Sequence, residues 1–322
     1  KGWFDPMKDA QNLTLPREGA GASAPKSGTP RRKLSGGLRK AEVVMQGIFL
    51  VCGLIAVAFV LLISIYLIIS GIPAIREVGL FNFLFGDTWS ARDDQYGILA
   101  MILTSVYGTA GAIVIGVPVG FLTAVFLAKV APAWMVRLIR PAVELLAGIP
   151  SVVYGLVGMM VLVPWIRTTF DLPAGDSLFA AIIVLAVMIL PSIISVSETA
   201  LQAVPKEYEE ASLALGATEL ETYFRVSVPA AKSGIAAAVV LGIGRAIGEA
   251  MAIIMVAGNV ANMPSLFSSV RFLTTGIAVE MNYASPGSLQ RNALYSIGLV
   301  LFLFIMLINV VLNVVLKREK EN

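Results

Sequence analysis

The sequence predicts an all-α integral membrane protein with six transmembrane helices. Of its 322 residues, 57% are hydrophobic and only 14% are charged. The mean hydropathy of +0.83 lies far above the range of soluble globular proteins. The apolar residues also form six runs, each close to or above the length of about 20 residues that crosses the hydrocarbon core. These observations assign the chain to the membrane before any motif is considered.

The first 40 residues differ from the rest of the chain. They are rich in Gly, Pro, Ser and Ala, show no apolar period and end in a basic cluster. This composition predicts a disordered, basic tail over residues 1–40, and the segment lacks the apolar core of a secretory signal. We therefore predict two parts, the tail and a membrane domain over residues 41–322.

The six predicted spans are separated by short polar connections. The second and third runs exceed a minimal span, so we expect parts of them to tilt or to extend beyond the bilayer. The predicted spans cover residues 43–70, 97–128, 135–166, 178–197, 233–257 and 292–316.

The distribution of Lys and Arg predicts how the spans are oriented, because cytoplasmic connections carry an excess of these residues. Of the 24 basic residues, 18 fall on the side of residues 1–42, 129–140, 198–232 and 317–322. Five fall on the other side, and Arg245 lies inside a span. Both termini and the polar segment 198–232 are therefore predicted to be cytoplasmic.

The composition also excludes several kinds of active site. The chain has no histidine and one cysteine, Cys52, which excludes His-based acid–base catalysis, His or Cys metal clusters and an intrachain disulfide. It contains no Gly-x4-Gly-Lys-Ser/Thr sequence, the P-loop that cradles nucleotide phosphates. We therefore predict a protein that is not an enzyme and that binds no cofactor or metal itself.

The segment 205–229 is polar and helical although it lies between two apolar spans. Pro205, followed by acidic residues, favours a helix start; Gly216 interrupts the helical run, and Pro229 closes it. The pattern predicts a short helix, a glycine turn and a second short helix. Such a helix either docks into a groove of a partner or rests on the membrane surface, and the pattern alone favours neither.

Two charged residues lie inside the fifth span. Arg245 and Glu249 are four residues apart, which predicts that they share one helix face. A charge at the centre of a span costs about 2.5–3.5 kcal/mol on insertion scales, so such residues usually face a cavity or a partner. Gly244 and Gly248 leave room for another helix or a substrate. Arg245 is therefore predicted either to tie helices together by a salt bridge or to bind an anion in transit.

The guanidinium of Arg245 offers a planar fork of donors that matches tetrahedral oxyanions such as phosphate and sulfate. Glu249 would repel an anion. We expect Glu249 either to hold Arg245 in position or to accept a hydrogen bond from a substrate that carries a proton. Phosphate keeps at least one O–H near neutral pH and sulfate keeps none, so the pair favours phosphate.

The third span is interrupted where Gly148 and Pro150 break the helical pattern. Broken helices line transport sites because their free backbone groups need a cavity or a partner. Ser151 and Tyr154 follow this break. They are predicted to line the substrate path, unless Pro150 only kinks the helix.

The polar segment resembles the EAA loop of bacterial ABC importer permeases, with matching spacing over 20 positions and with Ser and Val as mild departures. The matching residues are Glu210, Ala211, Ser212, Gly216, Val226, Val228 and Pro229. In that family the loop is the coupling helix that inserts into a cytoplasmic ATPase subunit. The residues that the resemblance assigns to ATPase coupling are Glu210, Ala211, Ser212, Gly216 and Pro229.

Two further stretches resemble the phosphate-specific transport (Pst) permeases. They are GIPSVVYGL at residues 148–156 and GRAIGEAMA at residues 244–252. Residues 266–274 and 277–281 are closer to the PstC-type subunit than to its PstA-type partner. The likeness covers residues 43–316 and implies the MetI-like fold of type I ABC importer permeases.

The resemblance implies a permease subunit of an ATP-driven phosphate importer in a bacterial or archaeal inner membrane. The chain would form half of the path by alternating access, with Arg245 and Glu249 involved in phosphate passage. The implied partners are a PstA-type permease, a PstB-type ATPase dimer that binds ATP and Mg²⁺, and a PstS-type phosphate-binding protein. Three alternatives stay open: a permease for sulfate, molybdate or another oxyanion, the PstA-type half, and a passive anion channel or membrane anchor.

Overall fold

The computed structural model describes residues 36–321 of the chain. The chain divides into two compact units, Lys1–Ala58 and Phe59–Asn322. In the first unit the described residues belong to one helix, which begins at Gly36. The tail predicted over residues 1–40 therefore lies outside the described residues, except for its last five, which are helical.

Nearly all regular structure in the described part of the chain is helical. The helices are α1 (Gly36–Val78), α2 (Leu80–Phe85), α3 (Leu99–Val125), α4 (Ala133–Gly148), α5 (Ser151–Val157), α6 (Val163–Thr169), α7 (Leu178–Gln202), α8 (Lys206–Ala214), α9 (Glu219–Thr222), α10 (Val228–Ala230), α11 (Lys232–Gly248), α12 (Met251–Val256), α13 (Leu273–Glu280) and α14 (Leu289–Glu321). Single π-helical turns occupy Phe126–Val130, Gly158–Leu162 and Tyr223–Ser227. The described strands, β1 (Trp89–Ser90) and β2 (Gln95–Tyr96), form one antiparallel hairpin.

The described residues contain five helical segments that are long and apolar enough to cross a membrane. A sixth is present if Glu219–Ala230 and Lys232–Gly248, which meet at an angle of 72°, count as one bent span. The five are Val44–Val78, Leu99–Val130, Ser151–Thr169, Leu178–Gln202 and Leu289–Val311. The predicted all-α membrane fold is confirmed.

Two predicted spans are not continuous, so their predicted bounds are wrong. The run 135–166 is divided between α4 and α5, because Pro150 has no N–H to donate and holds Ile149 in an extended conformation. The run 233–257 is divided between α11 and α12 at Glu249, where no proline is present. The contacts that end α11 are described with the site below.

The central helix α7 positions the elements that carry the site. α3 packs along one side of it through glycines: a Cβ on Gly116 would lie 2.6 Å from Ile189 Cδ1, and one on Gly120 would lie 2.9 Å from Ile193 Cγ2. α11 also packs on α7, where a Cβ on Gly242 would lie 3.1 Å from Ile193 Cγ1. Such close packing at glycines is typical of membrane helices, and it holds α3 and α11 against the same core.

The β-hairpin lies where α1 ends and α3 begins, and we call this side of the bundle the hairpin end. Trp89 pairs with Tyr96 across the hairpin, and their rings meet edge to face at 5.2 Å. Asp94 has a left-handed φ of 51° between the strands, a conformation that Asp tolerates better than most residues. The hairpin thus closes a connection between two spans.

Candidate functional site

The helix α11 ends one residue before Glu249. Glu249 adopts an extended backbone, with φ −73° and ψ 131°. The Thr274 hydroxyl donates to the Glu249 carbonyl at 2.8 Å, and the Ala252 amide donates to the Glu249 carboxylate at 3.1 Å. These contacts supply partners for backbone groups that a continuous helix would otherwise have satisfied, so the break is stable inside the bundle.

The prediction that Arg245 and Glu249 share one helix face is therefore wrong. A spacing of four aligns two side chains only where the helix continues through both residues, and Glu249 lies beyond the last residue of α11. Its carboxylate faces the first turn of α12 instead, where free N–H groups favour a negative charge.

Arg245 is partly buried, and its guanidinium makes one long hydrogen bond. Its Nη1 lies 3.5 Å from Ser192 Oγ on α7, at the outer limit of a hydrogen bond. Within residues 36–321 the ion pairs are Lys129–Glu209, Arg140–Glu198 and Arg271–Glu280, and Arg245 takes part in none of them. The described chain thus holds no salt bridge of the kind that one alternative predicts for Arg245. Most of its five N–H donors are available to a ligand or another chain.

Open space borders Arg245 along its own helix. Gly244 and Gly248 are exposed, and a Cβ added to either would meet no atom within 4 Å. Gly148, at the end of α4, is equally open. Gly244 and Gly248 therefore leave the backbone accessible on the helix that carries Arg245.

The Tyr154 hydroxyl spans the break between α4 and α5. It donates to the Leu146 carbonyl at 2.6 Å and so satisfies one of the carbonyls left free at the end of α4. Ser151 is the first residue of α5 and is partly exposed.

A glycine contact holds the two helix breaks together. Gly155 on α5 lies so close to α12 that an added Cβ would be 2.8 Å from Ala252 Cα and 2.9 Å from its carbonyl oxygen. Because α5 follows one break and α12 follows the other, this contact sets the position of Ser151 relative to Glu249. Ser151, Tyr154 and Glu249 therefore belong to one packed arrangement, and Arg245 precedes Glu249 by four residues on α11.

The segment 205–229 forms the predicted helix, turn and second helix, and we call it the coupling loop. α8 ends near Gly216, which takes a left-handed φ of +89° that glycine adopts without steric cost. Thr218 and Glu221 then form a capping box that starts α9. The glycine thus reverses the chain between two helices.

The predicted coupling residues differ in exposure. Those that face outward are Glu210, Ala211, Gly216 and Pro229. Ser212 is partly buried, and its hydroxyl lies 2.9 Å from Thr222 Oγ1 inside the loop. Leu215, beside Gly216, is 90% exposed and adds an apolar contact point that was not predicted.

Sequence reasoning missed Glu209, the neighbour of Glu210. Its carboxylate accepts from Lys129 Nζ at 2.5 Å and from Ser227 Oγ at 2.7 Å. Burial raises the pKa of Glu209, but the hydrogen bonds from Lys129 and Ser227 and the charges of Lys129 and Lys206 together hold the pKa below its usual range. Adjacent residues point in different directions on a helix, so the two carboxylates need not share a role, but the sequence does not tell which of them faces inward.

A second missed cluster lies at the hairpin end. Glu280 accepts from Trp89 Nε1 at 2.9 Å and from Gln290 Nε2 at 3.1 Å, and it pairs with Arg271. Arg271 Nε also donates to the Asn259 carbonyl at 2.8 Å. The cluster joins the hairpin to α13 and α14, so its evident role is to hold this end of the bundle together.

Comparison with known proteins gives the family. A family model described as "binding-protein-dependent transport system inner membrane component" matches residues 116–319. The chain is 42% identical over 276 residues to the probable ABC transporter permease protein YqgH of Bacillus subtilis (strain 168), covering 83% of this chain and 89% of that protein. It is 37% identical over 243 residues to the phosphate transport system permease protein PstC of Pasteurella multocida (strain Pm70), covering 69% and 75%.

A solved structure agrees with the fold. The methionine ABC transporter MetNI, in an inward-facing conformation, contains a chain that superposes with a TM-score of 0.52 at 22% identity, covering 69% of this chain and 94% of that chain. This likeness concerns the fold alone, and it confirms the predicted MetI-like architecture. The chain therefore belongs to the family of binding-protein-dependent transport system inner membrane components, as a multi-pass membrane protein.

Proposed function

We propose that this chain is a permease subunit of an ATP-driven importer of inorganic phosphate. The observation that carries the proposal is the partly buried Arg245, which forms no ion pair within the described residues and borders open glycines. An unpaired charge in a span is costly, so a ligand or another chain is expected to occupy its donors. Relatives named phosphate transport system permease protein PstC supply the chemical class of that ligand.

Arg245 and Glu249 divide phosphate recognition between them in this proposal. The guanidinium donates two parallel hydrogen bonds to phosphate oxygens. The Glu249 carboxylate accepts from the Ala252 amide through one oxygen, and an ionised carboxylate has acceptor capacity on both. It can therefore accept from a phosphate O–H, which sulfate lacks. Ser151 and Tyr154 line the path beside them.

The chain forms half of a path that opens to each side in turn. ATP closes the dimer of a PstB-type ATPase, and the coupling loops of the two permease halves move together. Glu210, Ala211 and Gly216 face outward as this docking requires, with Leu215 beside them. The ATPase binds ATP and Mg²⁺ in this proposal, and this chain supplies half of the path and the coupling loop that transmits the motion of the ATPase.

The proposal of a phosphate permease subunit also implies two further partners. A PstA-type permease completes the path, and a PstS-type protein delivers phosphate from outside. Both termini and the coupling loop lie in the cytoplasm, as the Lys and Arg distribution predicts. A permease for sulfate or molybdate, or the PstA-type half, would use the same architecture. A passive channel or membrane anchor would not require an exposed loop that docks to an ATPase.

The test is ATP-driven uptake of labelled phosphate into vesicles that hold the assembled complex. Arg245→Gln should reduce uptake by about tenfold or more, the effect of losing charged hydrogen bonds, while assembly and ATPase activity persist. Arg137→Gln is the matched control, because Arg137 is exposed and its guanidinium contacts only the Ala133 carbonyl among the hydrogen bonds of the described residues.

Three results would change the proposal. Unchanged uptake with Arg245→Gln would remove Arg245 from the path. Loss of assembly would show that Arg245 pairs with another chain of the complex. Uptake of sulfate or molybdate in preference to phosphate by the wild type would keep the permease and replace its substrate.

A further inference from the structure

Two π-helical turns direct side chains onto Glu209. Lys129 lies in the turn Phe126–Val130, which continues α3, and Ser227 lies in the turn Tyr223–Ser227, which follows α9. A π-helical turn is rare, shifts the side chains that follow it and frequently marks a functional site. Here both turns deliver a donor to one carboxylate.

We propose that Glu209 is a positioning residue that makes the coupling loop move as one piece with α3. The inference rests on the proposed function, because coupling needs an ATPase. Glu209 and Glu210 then have separate roles on α8. Glu210 faces outward toward the ATPase, and Glu209 faces inward toward its own chain.

The link matters because α8 cannot hold its position alone. A helix of nine residues has little stability in isolation, and α8 is flanked by Pro205 and by the left-handed Gly216. The bond between Ser212 and Thr222 joins α8 only to the second half of the loop. Within the described residues, the Glu209–Lys129 pair is the polar contact that joins α8 to the end of α3.

The pair is also sheltered from water. The side chains of Lys129 and Glu209 are 10% and 18% exposed, so their attraction is screened less than that of a surface pair. From Lys129, α3 continues along α7 through the close contacts at Gly116 and Gly120. From Ser227, the chain continues into α11, which carries Arg245. A displacement of α8 therefore reaches both sides of the core that supports the site.

The experiment measures ATP hydrolysed per phosphate imported by the assembled complex in proteoliposomes. Glu209→Gln and Lys129→Gln should leave assembly and ATPase activity intact but raise this ratio about tenfold, the effect of losing one charged hydrogen bond. The combined exchange Glu209→Lys with Lys129→Glu should restore the ratio. The matched control is Glu207→Gln, an exposed position on α8, which should behave as wild type.

An unchanged ratio in Glu209→Gln would overturn the inference while leaving the phosphate importer in place. Parallel loss of assembly, uptake and ATPase activity at a constant ratio would also overturn it, since Glu209 would then be a folding contact only. If the wild type imports no phosphate, the proposed function fails, and stimulation of the ATPase by the external binding protein becomes the readout. Stimulation lost in Glu209→Gln and kept in Glu207→Gln would support the link; stimulation kept in both would overturn it.

Discussion

At the scale of single residues, Glu209 shows how a partly buried carboxylate stays ionised. Burial raises its pKa, whereas Lys129, Ser227 and the charge of Lys206 together lower it by a larger amount. Because the pKa is lower in the folded state, the ionised Glu209 carboxylate stabilises the protein fully at pH values above the ordinary glutamate pKa of about 4.3. This stabilisation is lost as the pH falls through the lower, folded-state value.

We therefore expect a definite pH dependence for Glu209→Gln. Its stability deficit relative to wild type should stay constant from pH 7 to about 5 and shrink below about pH 4. Thermal unfolding of the assembled complex across this pH range measures it. Ser227→Ala removes one of the two hydrogen bonds that lower the pKa of Glu209. The stabilisation by Glu209 should therefore be lost at a higher pH in this variant than in the wild type. If the stability difference between Glu209→Gln and the wild type already disappears between pH 7 and 5, the pKa of Glu209 is not lowered in the folded state.

At the scale of secondary-structure elements, the two helix breaks depend on one glycine contact. α5 reaches α12 at Gly155, where the space for a Cβ is already occupied by backbone atoms of Ala252. Backbone atoms cannot rotate away as a flexible side chain can. Any side chain at position 155 must therefore push α12 away and disturb the break at Glu249.

Gly155→Ala should destabilise the complex by about 1–3 kcal/mol, the usual cost of overpacking a core. Uptake should fall with it, because α12 carries the amide that holds the Glu249 carboxylate. Gly53→Ala is the control, since an added Cβ there also meets nothing within 4 Å and α1 carries none of the residues proposed for the path. Thermal unfolding and uptake of both variants provide the measurement. Equal stability of the two would show that α5 and α12 do not pack this closely.

At the scale of the whole molecule, orientation in the membrane is the property that governs all functional roles. It rests on the placement of Lys and Arg along the chain. The coupling loop must face the cytoplasm to meet an ATPase, and the hairpin must then face outside, because an odd number of spans separates them. One topology experiment therefore tests both assignments.

Single cysteines can report this orientation in intact cells. The chain has one cysteine, Cys52, which is replaced by Ser to give the background. Ala91→Cys, in the exposed turn of the hairpin, should react with a membrane-impermeant thiol reagent in intact cells. Leu215→Cys, at a position that is 90% exposed, should react only after the cells are permeabilised. The reverse pattern would invert the predicted topology.

The fold class, the coupling loop and the interruption around Gly148 and Pro150 could be predicted in outline from the sequence alone, whereas the break at Glu249 could not. These follow from local properties: the length of apolar runs, the placement of Gly and Pro, and charge within a span. Arg245 could be singled out for the same reason, since a guanidinium in a span is unusual whatever surrounds it. None of these inferences needs knowledge of which residues meet in space.

The end of α11 and the contacts of Glu209 became visible only in the tertiary structure. α11 stops at Gly248 without a proline, and the Thr274 hydroxyl that binds the Glu249 carbonyl comes from 25 residues further along the chain. Glu209 and Lys129 are 80 residues apart. Contacts between residues so far apart in the sequence depend on how the helices pack. Helix packing depends on the shapes of the surfaces that meet, which a local sequence pattern does not encode.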